Sequence, residues 1–308
     1  MRASLMLATA LAVCAPLSAE EQWYPSKYGP DDTKGAMNNL SPEGTVKAAK
    51  LVKTGKVYAL GVVTGPDTPA YPGRNFGMAV VALASGGDAI GANKVTGHDD
   101  LLMTYIGIGT QLDGFGHIGI DNRHYNGVHA RDFFKPDGVT KFGTDTILPA
   151  ATRGVLLDMV KHYKEPPRPG TAFNRAEIDA AAKAAGVTIG KGDVVIFHTG
   201  WLATATTDPK RFIAEQPGLG REGAEYLASL GVVMVGADTA AVEAIPFEKP
   251  DMPFIVHQTL LTKNGVHILE TVNTAELAAD GATEFLFVLG QPRFKGTVQA
   301  AINPVAIR

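Results

Sequence analysis

Polar side chains capable of chemistry are concentrated in residues 107–117, which read Gly-Ile-Gly-Thr-Gln-Leu-Asp-Gly-Phe-Gly-His. Gln111, Asp113 and His117 bring a carboxamide, a carboxylate and an imidazole within seven residues. Because alternate residues of an extended chain point to the same side, Gln111 and Asp113 are expected to face one pocket. The glycines between them let a ligand approach the backbone closely. This composition is typical of a metal or hydrolytic site, and the plain structural alternative is a glycine-rich turn with a capping aspartate.

The sequence lacks the motifs of several other enzyme classes. After residue 19 it has four serines, and none of them stands in the Gly-x-Ser-x-Gly pattern of a hydrolase nucleophile. Cys14 is the only cysteine and lies in the leader described below, so disulfides, a cysteine nucleophile and a thiolate zinc site are excluded for the remainder. No Walker motif and no Gly-x-Gly-x-x-Gly that opens a helix is present.

Histidine and carboxylate chemistry therefore remains. His257 follows the apolar run Phe254–Val256, which is interpreted as a strand end, and Glu270 closes the next predicted strand. With Asp113 and His117 these residues could hold a divalent ion with open water positions, which would lower the pKa of a bound water. His267 alternates with apolar neighbours and is expected to face away from the core.

The elements that must position these side chains alternate between strands and helices. Leu101–Ile108 is predicted to be a buried strand that leads into the polar segment. Capping and stop signals predict helices from Ser41 to Thr54, from Asn174 to Ala185 and from Arg221 to Leu230. Further strands are predicted at 56–64, 76–84, 153–160, 193–197, 232–237, 266–269 and 285–289. This alternation indicates a single mixed α/β domain.

Composition and the N-terminal segment indicate which partners and which cellular location to expect. The chain has 308 residues, 45 % hydrophobic residues, 19 % charged residues and a net charge of −3. It has no long basic block, which argues against nucleic acid or an anionic membrane surface as a partner. Residues 1–19 have a positive start, an apolar stretch and a small-residue cleavage site, so they are predicted to be a signal peptide. Residues 20–308 would then be the functional domain, periplasmic or secreted, and no later segment is apolar enough to span a membrane.

The residues also resemble a known family. The putative cyclase family, which includes bacterial kynurenine formamidase and isatin hydrolase, has the hallmark His-x-Gly-Thr-His-x-Asp-x-Pro-x-His, and residues 107–117 are similar to it. Similarity extends over nearly the whole chain after the leader, through the segments 31–38, 153–158, 192–201, 217–219, 236–239, 257–270 and 302–306. The resemblance implies an α/β fold with a barrel-like mixed β core and peripheral helices. It also implies a metal-dependent hydrolase of amides, cyclic amides or lactones that is commonly a dimer or tetramer.

Site residues follow from the resemblance position by position. Asp113 resembles the metal-binding aspartate, and His117 resembles the last hallmark histidine, a general base or stabiliser. His257 and Glu270 resemble the pair that completes a metal position, with Glu270 also a catalytic candidate. The first two hallmark histidines fall on Gly107 and Gln111, and the hallmark proline falls on Phe115.

These departures leave three arrangements open. A single zinc or manganese ion could bind Asp113, His257 and Glu270 with help from His117 or Gln111. The ligand set could instead be rebuilt from His98, His124 or His129, or the site could be free of metal.

The corresponding functions also remain open. The first hypothesis is a secreted hydrolase in which His117 transfers a proton. The others are a small-ligand-binding pseudoenzyme without catalysis and a metal-free lyase or dehydratase. The candidates for binding the small-molecule substrate are Gln111, Asn38, Phe115, Tyr125 and Trp201.

Overall fold

The fold is described by a computed structural model that covers residues 22–83 and 89–308. The predicted signal peptide, residues 1–19, lies outside the described residues. None of the described helices is long and apolar enough to cross a membrane.

Thirteen strands and eight α-helical segments form the described part of the chain. The strands are β1 (Val57–Ala59), β2 (Phe76–Leu83), β3 (Gly97–Thr104), β4 (Gln111–Asp113), β5 (Ala150–Asp158), β6 (Ala172–Phe173), β7 (Val194–His198), β8 (Gly218–Leu219), β9 (Met234–Ala237), β10 (His267–Glu270), β11 (Glu284–Leu289), β12 (Gln299–Ala301) and β13 (Val305–Ile307). The helices are α1 (Pro42–Ala49), α2 (Met159–Tyr163), α3 (Arg175–Ala185), α4 (Thr204–Thr207), α5 (Pro209–Ala214), α6 (Arg221–Leu230), α7 (Ile255–His257) and α8 (Ala275–Ala279). A π-helical turn, Gln258–Lys263, continues α7 directly.

Nine of these strands form one mixed sheet in the order β1-β13-β11-β5-β7-β9-β10-β4-β12. The central strands β5, β7, β9 and β10 are parallel, and the outer pairings are antiparallel. The sheet curls into a half-barrel and is flanked by helices, which confirms the predicted α/β single domain with a barrel-like mixed core.

Both faces of the central strands are buried, as in sheets covered on two sides. In β7, Val195 and Phe197 pack in one hydrophobic cluster with the residues of α3 and α6, whereas Val194 and Ile196 pack in a second cluster. The alternation of strand side chains between faces explains this division. A Cβ at position 154 would lie 2.1 Å from Cε2 of Phe285 on the neighbouring strand, so only glycine fits there without displacement of that ring.

Helix ends follow the local capping chemistry. The Asn174 cap and Glu177 form the predicted capping box at the start of α3, and Gly186 ends it in the left-handed region at φ 70°. Gly231 ends α6 in the same way at φ 81°. Ser41 caps α1 as predicted, but α1 ends at Ala49 and not at Thr54.

The apolar segment before the polar motif differs from its prediction. The sequence predicts a buried strand at Leu101–Ile108, but the strand there is β3, whose one partner among the described strands is β2, in an antiparallel hairpin. Side chains on both of its faces are exposed; Leu101 and Leu102 are each 58 % exposed, and Met103 is 75 % exposed. The error arose because apolar composition specifies a strand but does not specify what covers it.

Candidate active site

Strand β4 positions the polar motif inside the sheet, between β10 and β12. Gln111 pairs with Glu270 in β10, and its Nε2 donates a 2.6 Å hydrogen bond to Oε2 of Glu270. Asp113 stands two residues along, and Leu112 between them packs in the hydrophobic core. Gln111 and Asp113 therefore share one side of β4, as the alternation predicted.

Asp113 is completely buried, and only one of its two carboxylate oxygens has a hydrogen-bond donor. Its Oδ1 accepts a 2.8 Å hydrogen bond from Nε2 of Gln299, whereas Oδ2 is buried and accepts no hydrogen bond. Oδ2 lies 3.6 Å from Nε2 of His257. Burial raises the pKa of Asp113, but His117 and His257 together outweigh it and lower that pKa below its usual range.

His257 is surrounded by carboxylates. Its Nδ1 lies 2.5 Å from Oε1 of Glu243, and its Nε2 lies 3.1 Å from Oε1 of Glu270. Burial lowers the pKa of the imidazole, but the nearby carboxylates of Asp113, Glu243 and Glu270 outweigh burial and raise that pKa well above its usual value.

The element that carries His257 differs from the predicted strand end. It lies on α7, which follows Phe254 at a positive φ of 56°. The backbone N–H groups of Val256 and His257 point to the Glu243 carboxylate at 3.4 and 3.3 Å, so the turn and the carboxylate stabilise each other.

His117 completes a cluster of possible metal ligands. One ligand atom each from Asp113, His117 and His257 lies within 4.8 Å of the others, and this is the one such group of three found among residues 22–83 and 89–308. Burial lowers the pKa of His117 despite the attraction of Asp113, which favours the neutral imidazole near pH 7.

Glu270 lies beside this cluster. Its Oε1 accepts a 3.2 Å hydrogen bond from the Val242 amide, and its Oε2 accepts the bond from Gln111. Burial, followed by the negative charge of Asp113, raises the pKa of this carboxyl. Metal ligands require neutral imidazole and ionised carboxylate, whereas a proton carrier requires a pKa near the working pH.

A cavity of about 200 Å³ opens onto these groups. Its lining includes His117, His257 and Glu270 together with Tyr71, Arg74 and Phe254. The Tyr71 hydroxyl is buried without a hydrogen-bond partner, and burial raises its pKa. A small ligand in this cavity would contact several of these side chains.

The predicted substrate-binding residues are only partly brought to this cavity. Gln111 does not line the cavity but donates a hydrogen bond to Glu270, which does. Asn38 donates its amide hydrogens to Asp32 and Gly35, and the Tyr125 hydroxyl bonds to Asp32 and Ser26.

Two aromatic candidates also pack elsewhere. Trp201 lies in a separate cluster with Phe212 and Ala240. Phe115 stacks on His267 with ring centroids 4.3 Å apart. The expectation that His267 faces away from the core is wrong, because the ring is only 2 % exposed and Nδ1 lies 3.0 Å from the Asp113 carbonyl oxygen.

The alternative histidine ligands lie in other surroundings. His124 bonds the Phe115 carbonyl oxygen through Nδ1, and His129 accepts a hydrogen bond from the Arg131 amide. His98 lies on the exposed strand β3. None of the three belongs to the ligand cluster formed by the described residues.

Several residues of the site, Tyr71 among them, were missed by the sequence reasoning. Glu243 lies fourteen residues before His257, in an apolar run that gives no sign of a buried carboxylate. Gln299 comes from the far end of the chain, and Arg74 comes from a proline-rich loop. The one available signal was at Glu243, where a charged residue stands in an otherwise apolar stretch of sequence.

Comparison with known proteins fits this arrangement. The sequence pattern described as Putative cyclase matches residues 25–244. The chain belongs to the Putative cyclase family. No curated protein sequence matches it.

Several solved structures are similar to this cyclase-family chain. A structure described as a novel cyclase is 26 % identical, with a TM-score of 0.82, and the alignment covers 92 % of this chain and 98 % of that one. An isatin hydrolase bound to the product analogue thioisatinate is 20 % identical, with a TM-score of 0.60 and coverages of 87 % and 98 %. A predicted metal-dependent hydrolase from Bacillus stearothermophilus is 18 % identical, with a TM-score of 0.53 and coverages of 82 % and 98 %.

The donor set of this cyclase-family chain fits a divalent metal ion. Asp113 presents a buried oxygen without a donor, and two imidazole nitrogens stand within 4.8 Å of one of its carboxylate oxygens. One carboxylate oxygen and two imidazole nitrogens match the ligands that zinc accepts in catalytic sites. The contact between Glu243 and Nδ1 of His257 has the form of the carboxylate–histidine pairs that orient metal-binding histidines in many such sites.

Proposed function

We propose that the protein is a hydrolase that opens an amide, a cyclic amide or a lactone with the help of a divalent ion, zinc or manganese. The observation that carries the proposal is Oδ2 of Asp113, a buried oxygen without a donor, on a carboxylate that stands close to two imidazoles. An unpaired buried carboxylate oxygen is costly unless a cation or a donor satisfies it.

Asp113, His117 and His257 would hold the ion, which when bound would polarise the carbonyl group of a substrate. His117 is thereby assigned as a ligand of the ion and not as the proton carrier, because its nitrogen lies close to the ligand atoms of Asp113 and His257. Glu270 then moves the proton between the attacking water and the leaving group, since its raised pKa lies closer to neutrality than that of an ordinary carboxyl. Gln111 orients Glu270 by holding one of its oxygens.

The test measures metal content and turnover separately. The purified full chain is analysed for zinc and manganese and assayed on a panel of amides, cyclic amides and lactones, with and without a chelator. We expect about one ion per chain and hydrolysis that the chelator abolishes. A protein that binds no metal and hydrolyses none of these bonds would refute the proposal and favour the non-catalytic binder.

Two variants distinguish the roles. His117→Gln is expected to lose metal and activity together, because it removes a ligand. Glu270→Gln is expected to retain the ion and to lose at least about a hundredfold in kcat, the usual contribution of a general acid or base. If His117→Gln retains the metal but loses activity, His117 is not a ligand, and the role in proton transfer is assigned to it instead.

We also propose that the protein is periplasmic or secreted after removal of residues 1–19, from the leader pattern. The test is the mass of the protein recovered from periplasm or medium. A mass that includes residues 1–19 would contradict it.

A homo-oligomer is proposed from the β2–β3 hairpin. A two-stranded hairpin is marginal in water by itself, and its apolar side chains are exposed on both faces. Met103→Asp is expected to reduce the molar mass in light scattering, whereas Val63→Asp, at an exposed valine outside the hairpin, should not. A monomeric parent protein would refute the proposal.

A further inference from the structure

Arg74 occupies the space beside Gly107, at the edge of the cavity. A Cβ added at position 107 would lie 2.5 Å from Nη1 of Arg74 and 3.1 Å from its Cζ. The same Nη1 donates a hydrogen bond to the Gly107 carbonyl oxygen at 2.5 Å. The guanidinium is therefore admitted to this place because residue 107 has no side chain.

The position of Arg74 is fixed but its charge is not balanced. Cζ lies 5.2 Å from the centroid of the Tyr71 ring, a cation–π contact. Within residues 22–83 and 89–308, Arg74 has no carboxylate at ion-pair distance, and the bond to Gly107 is its one side-chain hydrogen bond. A guanidinium has five N–H donors, so most of them remain for a ligand.

The carboxylates near Arg74 are already engaged. Glu270, which lines the same cavity, accepts hydrogen bonds from Gln111 and Val242 and lies beside His257. The Tyr71 hydroxyl is a second donor without a partner, carried by the ring that the guanidinium contacts. The lining of the cavity thus offers a positive charge and a neutral donor in addition to His117, His257 and Glu270.

We propose that Arg74 and the Tyr71 hydroxyl form a carboxylate subsite, and that the substrate is a small acid whose scissile amide or lactone carbonyl points toward His257. The second part rests on the proposed function. Arginine binds carboxylates through paired N–H groups, and such charge-assisted bonds are about twice as strong as neutral ones. A cavity of about 200 Å³ holds roughly seven water volumes, which limits the ligand to a small molecule.

Binding is tested with benzoate and with benzamide, its neutral counterpart, by calorimetry on the full chain in the presence of a chelator. The chelator removes any metal that could itself bind the carboxylate. We expect the parent protein to bind benzoate and to discriminate against benzamide. Arg74→Gln should weaken benzoate binding about 10- to 100-fold, whereas Arg131→Gln, at an exposed arginine, should leave it unchanged. Equal benzoate binding in Arg74→Gln and the parent protein would overturn the subsite.

Tyr71→Phe keeps the test meaningful if Arg74→Gln folds poorly. The change removes only a hydroxyl that has no protein partner, so the melting temperature should not fall. Benzoate binding should weaken about tenfold. An unchanged benzoate affinity would remove Tyr71 from the subsite.

Kinetics distinguish a carboxylate of the substrate from the one released by hydrolysis. Each compound of the amide and lactone panel is supplied with a carboxylate and with a carboxamide in its place. We expect KM to be about tenfold lower for the acid, and Arg74→Gln to remove this difference. Equal KM values for the two forms, with Arg74-dependent benzoate binding, would overturn the claim about the substrate. If nothing is hydrolysed, the proposed function fails while the benzoate titration still decides the subsite.

Discussion

Glu243 offers the sharpest perturbation of the proposed metal site, because it acts on His257 without reaching the cavity. Its carboxylate lies 2.5 Å from Nδ1 of His257, and this contact directs Nε2 toward Asp113. It also accepts from two backbone amides of the same turn, Val256 and His257. Glu243→Gln preserves the shape of the side chain but removes the charge that holds the ring in one tautomer.

The expected loss can be worked out from this geometry. Replacement of the partner that orients a metal-binding histidine typically costs 10- to 100-fold in metal affinity, which corresponds to about 1.4 to 2.7 kcal/mol. Glu243→Ala should cost more and should also reduce the free energy of unfolding, by about 3 kcal/mol. It leaves a buried histidine and two amides without their acceptor.

The assay is a calorimetric titration of zinc chloride into protein freed of metal, at pH 7, with urea unfolding of the same samples. Glu222→Gln, at an exposed position on α6, is the matched control for loss of one carboxylate. A Glu243→Gln variant that binds zinc within twofold of the parent protein would refute the reasoning, because His257 would then be oriented without its carboxylate.

Three further predictions concern stability. Burial lowers the pKa of His267 to about 4, so the stability that this residue contributes is complete above pH 6.5 and is lost as the pH falls toward 4. The loss in the free energy of unfolding amounts to about 3 kcal/mol. In His267→Asn, the free energy of unfolding in urea should therefore depend less on pH in this window. Gly154→Ala should cost about 1 to 3 kcal/mol in thermal unfolding because of its clash with Phe285, whereas Gly290→Ala, with open space around it, should be near neutral. Gln111→Leu should lower the free energy of unfolding by about 1 to 3 kcal/mol in urea titrations, because a buried carboxylate oxygen loses its donor.

Local spacing explains why part of the site could be predicted from the sequence. Gln111, Asp113 and His117 lie within seven residues, and the geometry of an extended strand alone places the first two on one side. His257 and Glu270 were reached only through the family resemblance, since no local pattern links them to residue 113. Glu243 and Arg74 were missed because their contacts join loops whose path in space depends on the whole fold.

Fold elements show the same division. Helices α3 and α6 begin and end as predicted because capping groups and glycines act within a few residues. The exposure of β3 and the burial of His267 were predicted wrongly, because both depend on which distant segment covers a strand. Periodicity reports which side chains share a face, but it does not report what packs against that face.

The charges around the cavity relate the two departures from the hallmark, at positions 107 and 111, to each other. Glycine at 107 admits a guanidinium, and glutamine at 111 binds Glu270 instead of supplying an imidazole. Asp113, Glu243 and Glu270 bring three carboxyl groups into the interior, and their proximity raises the pKa of His257 so that it carries one compensating positive charge. A divalent ion at Asp113 would displace that proton and still leave Arg74 to neutralise an incoming carboxylate. The segment therefore has two imidazoles fewer than the hallmark and admits one guanidinium, and in the proposed subsite this guanidinium would favour a substrate that carries a carboxylate over a neutral analogue.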